Sequence, residues 1–69
     1  MTAEEWNARH PVGTPVVYVP NAAEPNTTLR TRTRSAAWTL GHGEAVVLVN
    51  FRTGGVALDH LIIDREDRA

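Results

Sequence analysis

The run Ala45–Phe51, AVVLVNF, leads directly into Arg52-Thr53-Gly54-Gly55 and then Val56-Ala57-Leu58, and it constrains the fold more than any other stretch. Val46, Val47, Leu48 and Val49 are consecutive, so a strand here is apolar on both faces. The run is short, rich in β-branched residues and closed by glycines, which favours a strand over a buried helix. Glycine reaches the positive φ that tight hairpins need, so a turn is predicted over Arg52–Gly55, with Val56-Ala57-Leu58 returning. Asp59-His60-Leu61 reads as one turn of 3₁₀ helix, since Asp or His there can bond local backbone. Ile62-Ile63 reads as a last short strand. One face of Val46–Val49 fills the core. The other needs cover from an N-terminal helix, from the curl of the sheet or from a second copy, so a homodimer is one expectation.

A chain of 69 residues is one small domain, spanning 1–69, and buries only roughly 60% of its unfolded surface. It has no cysteine, which excludes disulfides and thiolate zinc sites. Stability therefore falls to the Val/Leu/Ile core, the two tryptophans and association. The net charge of −1 argues against a strongly nucleic-acid-seeking protein. All seven basic residues are arginine, which reads first as the codon usage of a GC-rich genome. No apolar run has membrane-spanning length, and no basic segment precedes an apolar one at the N-terminus. Met1 reads as a native start, and a cytoplasmic location is expected.

Residues 2–10 are predicted as a short helix, with Thr2 and Glu5 as a capping box. Two turns are marginal in water, so an anchor is needed, and Trp6 is the candidate. It either plugs one end of the sheet structure or contacts a partner. His10-Pro11 ends the helix. Pro15–Pro20 is a strand fenced by prolines. Asn21–Thr27 is a loop of turn formers. Thr28–Thr33 alternates cleanly, with Leu29, Thr31 and Thr33 on one face and Arg30, Arg32 and Arg34 on the other. Ser35–Leu40 is predicted to continue as strand after a kink, with Trp38 and Leu40 pointing inward. Gly41-His42-Gly43 is a turn. Arg65–Ala69 is a charged, frayed tail.

The arginine ridge is the feature with functional flavour. Guanidinium groups at i, i+2 and i+4 of a strand stand roughly 7 Å apart. That matches successive phosphates of a nucleic-acid strand, and a fork of donors equally suits acidic groups on a protein. A third reading is a solvated face that keeps an edge strand from pairing with other chains. Elsewhere the chemistry is thin. His10, His42 and His60 have no metal-ligand spacing, even with Glu44 or Asp59 added. Ser35, His60 and Asp59 or Asp64 make a triad only on paper, because nothing resembles a nucleophile elbow. Gly41-His42-Gly43 and Gly54-Gly55 precede no helix and so make poor phosphate cradles. No catalytic residue, metal or cofactor is expected.

The segments Pro11–Val16 (PVGTPV), Thr31–Gly43 (TRTRSAAWTLGHG) and Gly54–Leu58 (GGVAL) resemble those of small uncharacterised proteins of actinobacteria and actinobacteriophages. The resemblance implies a phage or mobile-element accessory protein and carries no activity with it. The predicted fold is mostly β: a small SH3-like, partly open antiparallel barrel of about five strands with a short N-terminal helix, or else another five-stranded barrel or roll. The predicted function is a non-enzymatic protein-interaction module acting on a host protein in the cytoplasm. Arg30, Arg32 and Arg34 form its surface, with Tyr18 or Trp6 as exposed aromatics beside them. The alternative is a nucleic-acid-binding small barrel that uses the same ridge.

Overall fold

The computed structural model describes residues 1–20, 23–24 and 27–65. Most of the Asn21–Thr27 loop and of the Arg65–Ala69 tail lies outside the described residues.

Thr2 opens a helix, α1 (Ala3–Arg9), and the capping box forms in full: the Thr2 hydroxyl accepts from the Glu5 N–H, and the Glu5 carboxylate accepts from the Thr2 N–H, both at 3.1 Å. His10 is extended at φ −132, as a residue before proline must be, and the helix stops there. Ala3 and Trp6 are buried, Trp6 to 4% exposure. The indole therefore takes the plugging role and is not an exposed aromatic.

Among the described residues, six strands make two three-stranded antiparallel sheets. The first has the order β2 (Leu29–Arg32), β1 (Pro15–Tyr18), β6 (Leu61–Ile63), and the second the order β3 (Trp38–Thr39), β4 (Ala45–Val47), β5 (Val56–Ala57). A 3₁₀ turn, Leu58–His60, joins β5 to β6. Among the described residues the strands do not close into a barrel. The count exceeds the expected five because the predicted stretch from Thr28 to Leu40 breaks into β2 and β3. Among the described residues no helix is long and apolar enough to cross a membrane.

The core lies between the sheets, with Val16, Val47 and Val49 fully buried and Ala37, Val56 and Leu58 beside them. α1 closes its open side. Thr31 and Thr33 are buried with the core face, as their alternation predicts. Thr33 also holds the turn leading into β1, because its hydroxyl accepts from the Gly13 and Thr14 N–H groups at 3.1 and 3.2 Å. Gly13 sits there at φ +97, a conformation that suits glycine.

Two expectations fail in an informative way. Trp38 and Leu40 do not point inward: Trp38 is 40% exposed, Leu40 is half-buried, and Ala37 is buried instead. The break at Arg34–Ala36 leaves the alternation uninverted, so 31, 33 and 37 all face the core and Trp38 faces away. Trp38 pairs with Val46 across the β3–β4 ladder. A Cβ built on Gly55 would stand 3.1 Å from Val46 Cγ2 and 3.2 Å from Trp38 Cη2. The indole and the bare Gly55 backbone thus cover Val46, which is buried. This is the second apolar face of the central strand, and it is covered within the chain.

The strand expected over Ala45–Phe51 is regular only to Val47. Beyond it the chain swings to the edge of β2. Thr33 and Val49 form an isolated antiparallel bridge, Arg34 N–H donates to the Leu48 carbonyl at 2.9 Å, and Asn50 N–H donates to the Arg32 carbonyl at 3.0 Å. Residues 48–50 therefore lace the two sheets together along that edge.

Candidate functional site

The β1–β2 register sets Arg30 opposite Val17 and Arg32 opposite Pro15. These two arginines share the outer face of their sheet, and neither guanidinium simply projects into water. Arg30 reaches across β1 to the buried Asp64 carboxylate, Nε to Oδ2 at 3.3 Å and Nη2 to Oδ1 at 3.4 Å. Arg32 Nη1 donates to the Gly13 carbonyl at 3.1 Å.

Arg34 lies beyond the end of β2 and folds onto the loop. Its Nε donates to the Val49 carbonyl at 2.9 Å and its Nη2 to the Arg52 carbonyl at 3.0 Å. The predicted three-residue ridge is thus a pair, Arg30 and Arg32, plus a clamp, Arg34. The alternation places the first two correctly and misses the third, because the chain has left the strand by residue 34.

The clamp fixes the turn at Asn50–Phe51. Thr31 contributes a second tie, its hydroxyl donating to the Asn50 carbonyl at 2.8 Å. Phe51 occupies this turn at φ +71, in the left-handed region that bulky residues avoid, and the residue is 85% exposed. Next to it, the Arg52 guanidinium lies over the Tyr18 ring, with its carbon 5.0 Å from the ring centroid. On another side Tyr18 meets His60 edge-on, at 6.4 Å between ring centroids.

Phe51 stands between two surface hollows. One, of about 410 Å³, is lined by Arg30, Thr31, Arg32, Asn50, Phe51 and Asp64. The other, of about 450 Å³, is lined by Tyr18, Phe51, Arg52, Thr53, Gly55 and Val56. Of the residues expected to form the surface, Arg30, Arg32 and Tyr18 border this region, Arg34 supports it from beneath, and Trp6 is in the core. Phe51 and Arg52 escape the sequence pattern. One signal points to them: the lone phenylalanine of the chain falls where the strand meets a turn, directly before an arginine.

The remaining polar groups do not converge. His10 packs on the Trp6 ring at 4.5 Å, His42 sits in the β3–β4 turn, and His60 Nδ1 lies 2.9 Å from the Val19 carbonyl. Among the described residues, no group of three His, Cys, Asp or Glu side chains is placed to hold a metal ion. No protein-family model, no curated protein and no solved structure matches this chain.

Proposed function

We propose that this chain is a non-enzymatic protein-interaction module that uses the face made by Tyr18, Phe51 and Arg52, with Arg30 and Arg32 at its border. The observation that carries the reading is Phe51. A phenylalanine held at φ +71 and 85% exposed costs stability twice, in backbone conformation and in wetted apolar surface. Residues kept under such strain cluster at functional sites, and tyrosine, arginine and other aromatics are the residues that carry interface energy. The strand orders, with a 3₁₀ turn before the last strand, support an SH3-like, partly open barrel as the scaffold. On this reading the module is a phage or mobile-element accessory protein that acts on a host protein in the cytoplasm.

The test is affinity capture from an actinobacterial lysate with the wild type and with Phe51→Ser, both checked for fold by their amide spectra. A protein retained by the first and lost by the second supports the module. Equal retention by both, or retention by neither, overturns it.

A second reading, a nucleic-acid-binding small barrel, draws on the same aromatic, since bases stack on exposed rings beside arginine. The committed donors of Arg32 and Arg34 and the Asp64 carboxylate beside Arg30 weigh against it.

A further inference from the structure

We infer that the Tyr18–Phe51–Arg52 face takes a short extended peptide in which an acidic side chain stands next to an aromatic or aliphatic one. This rests on the interaction-module reading and names the partner's chemistry.

Arg52 is central. Its guanidinium carbon lies over the Tyr18 ring, 5.0 Å from the centroid, so the cation is held at the surface against the aromatic. A guanidinium is a planar fork of donors that grips a carboxylate with two parallel hydrogen bonds. The backbone beneath it is already fixed, because Arg34 holds the Val49 and Arg52 carbonyls and Thr31 holds that of Asn50. An arginine held against a ring on an anchored backbone loses little further freedom when it binds. Phe51, one residue away, lines both hollows and gives the neighbouring side chain an apolar wall.

Charge decides the sign of the partner. The side chains bordering the two hollows carry three cations, Arg30, Arg32 and Arg52, against one anion, Asp64. The complementary partner is negative. A nucleic-acid strand would need a row of donors for successive phosphates. Here Arg30 is paired with Asp64, Arg32 reaches back to Gly13, and the chain as a whole is at −1. A single carboxylate asks for one fork, and Arg52 supplies it.

The experiment is selection of a displayed library of randomised decapeptides on the immobilised full chain. The selected peptides are expected to be enriched in Asp or Glu adjacent to Phe, Tyr, Leu or Ile. The leading peptide, synthesised and followed by fluorescence anisotropy, should bind Arg52→Gln and Tyr18→Leu at least roughly tenfold more weakly, with native amide spectra. It should bind Arg65→Gln like the wild type. Selected peptides without acidic enrichment overturn the inference, as does unchanged affinity in Arg52→Gln. Displacement of the peptide by a twelve-residue oligothymidylate at lower concentration overturns it in favour of nucleic acid. Phe51-dependent capture of a lysate protein alongside failed acidic selection removes the acidic specificity and leaves the module standing. An acidic peptide that binds while capture ignores Phe51 supports the ligand chemistry and removes the lysate partner.

Discussion

The side-chain amide of Asn7 takes the place of a neighbouring strand at Ala37: its Oδ1 accepts from the Ala37 N–H at 2.8 Å and its Nδ2 donates to the Ala37 carbonyl at 3.0 Å. Ala37 is buried just before β3, so its peptide groups need partners, and one turn of helix supplies both. Asn7→Ala should lower stability by ~1–3 kcal/mol, because two main-chain groups lose their partners. Asn7→Asp keeps the acceptor and loses the donor, so it should fall between alanine and wild type. Urea midpoints at constant slope measure both.

Gly55 lies under the Trp38 ring and against Val46. Gly55→Ala should push the indole outward, cost about 1 kcal/mol, and shift Trp38 fluorescence to the red. In a Trp38→Phe background the same substitution should cost less, since the shorter ring no longer reaches the new methyl. A double-mutant cycle reads the difference, and strict additivity would disprove the contact.

Phe51→Gly should separate stability from binding. Glycine adopts φ +71 without the clash of a Cβ, so the fold should gain about 0.5–1 kcal/mol despite the extra freedom of the unfolded chain. Thermal unfolding checks the gain, and the same sample should lose the captured partner. A destabilised Phe51→Gly would mean that the ring contributes to packing.

The Glu5 carboxyl is held below the ordinary glutamate range, first by the hydrogen bond it accepts from the Thr2 N–H and then by its link to the Thr2 side chain. A group whose folded value is depressed adds stability above its unfolded value, about 4.3, and loses it as the pH falls through the folded value. The α1 signal in circular dichroism should therefore weaken as the solution is taken from pH 5 to the acid side of that range. Glu5→Gln keeps a capping-box acceptor without the charge, and its helix signal should be flat over the same interval.

What was legible in the chain was local. The Thr2/Glu5 capping box, the stop at His10-Pro11 and the 3₁₀ turn around Asp59 each depend on residues within a few positions of one another. The inward threonines of β2 were legible for the same reason, since alternation is a property of one strand. What escaped was decided at a distance. Trp38 faces outward because Gly55, across two strands, leaves room for it above Val46. Arg34 turns back because Val49 and Arg52 present carbonyls there, and alternation cannot foresee a chain that has already left its ladder. Phe51 is the hardest case. Its type favours a strand, and the ties from Arg34, Thr31 and the Arg32 carbonyl to the loop around it hold it in a turn that phenylalanine disfavours.

The placement of β1 has a consequence for synthesis. β1 is the middle strand of its sheet, and one of its two neighbours, β6, begins only at Leu61. A nascent chain that has not yet reached Leu61 holds β1 with one flank bare, whatever the rest of the molecule has achieved by then. Pairings such as Val16 with Ile63 join residues far apart in sequence, and such closures are slow. Folding of this sheet therefore waits on β6, and its docking should be the event that commits the chain.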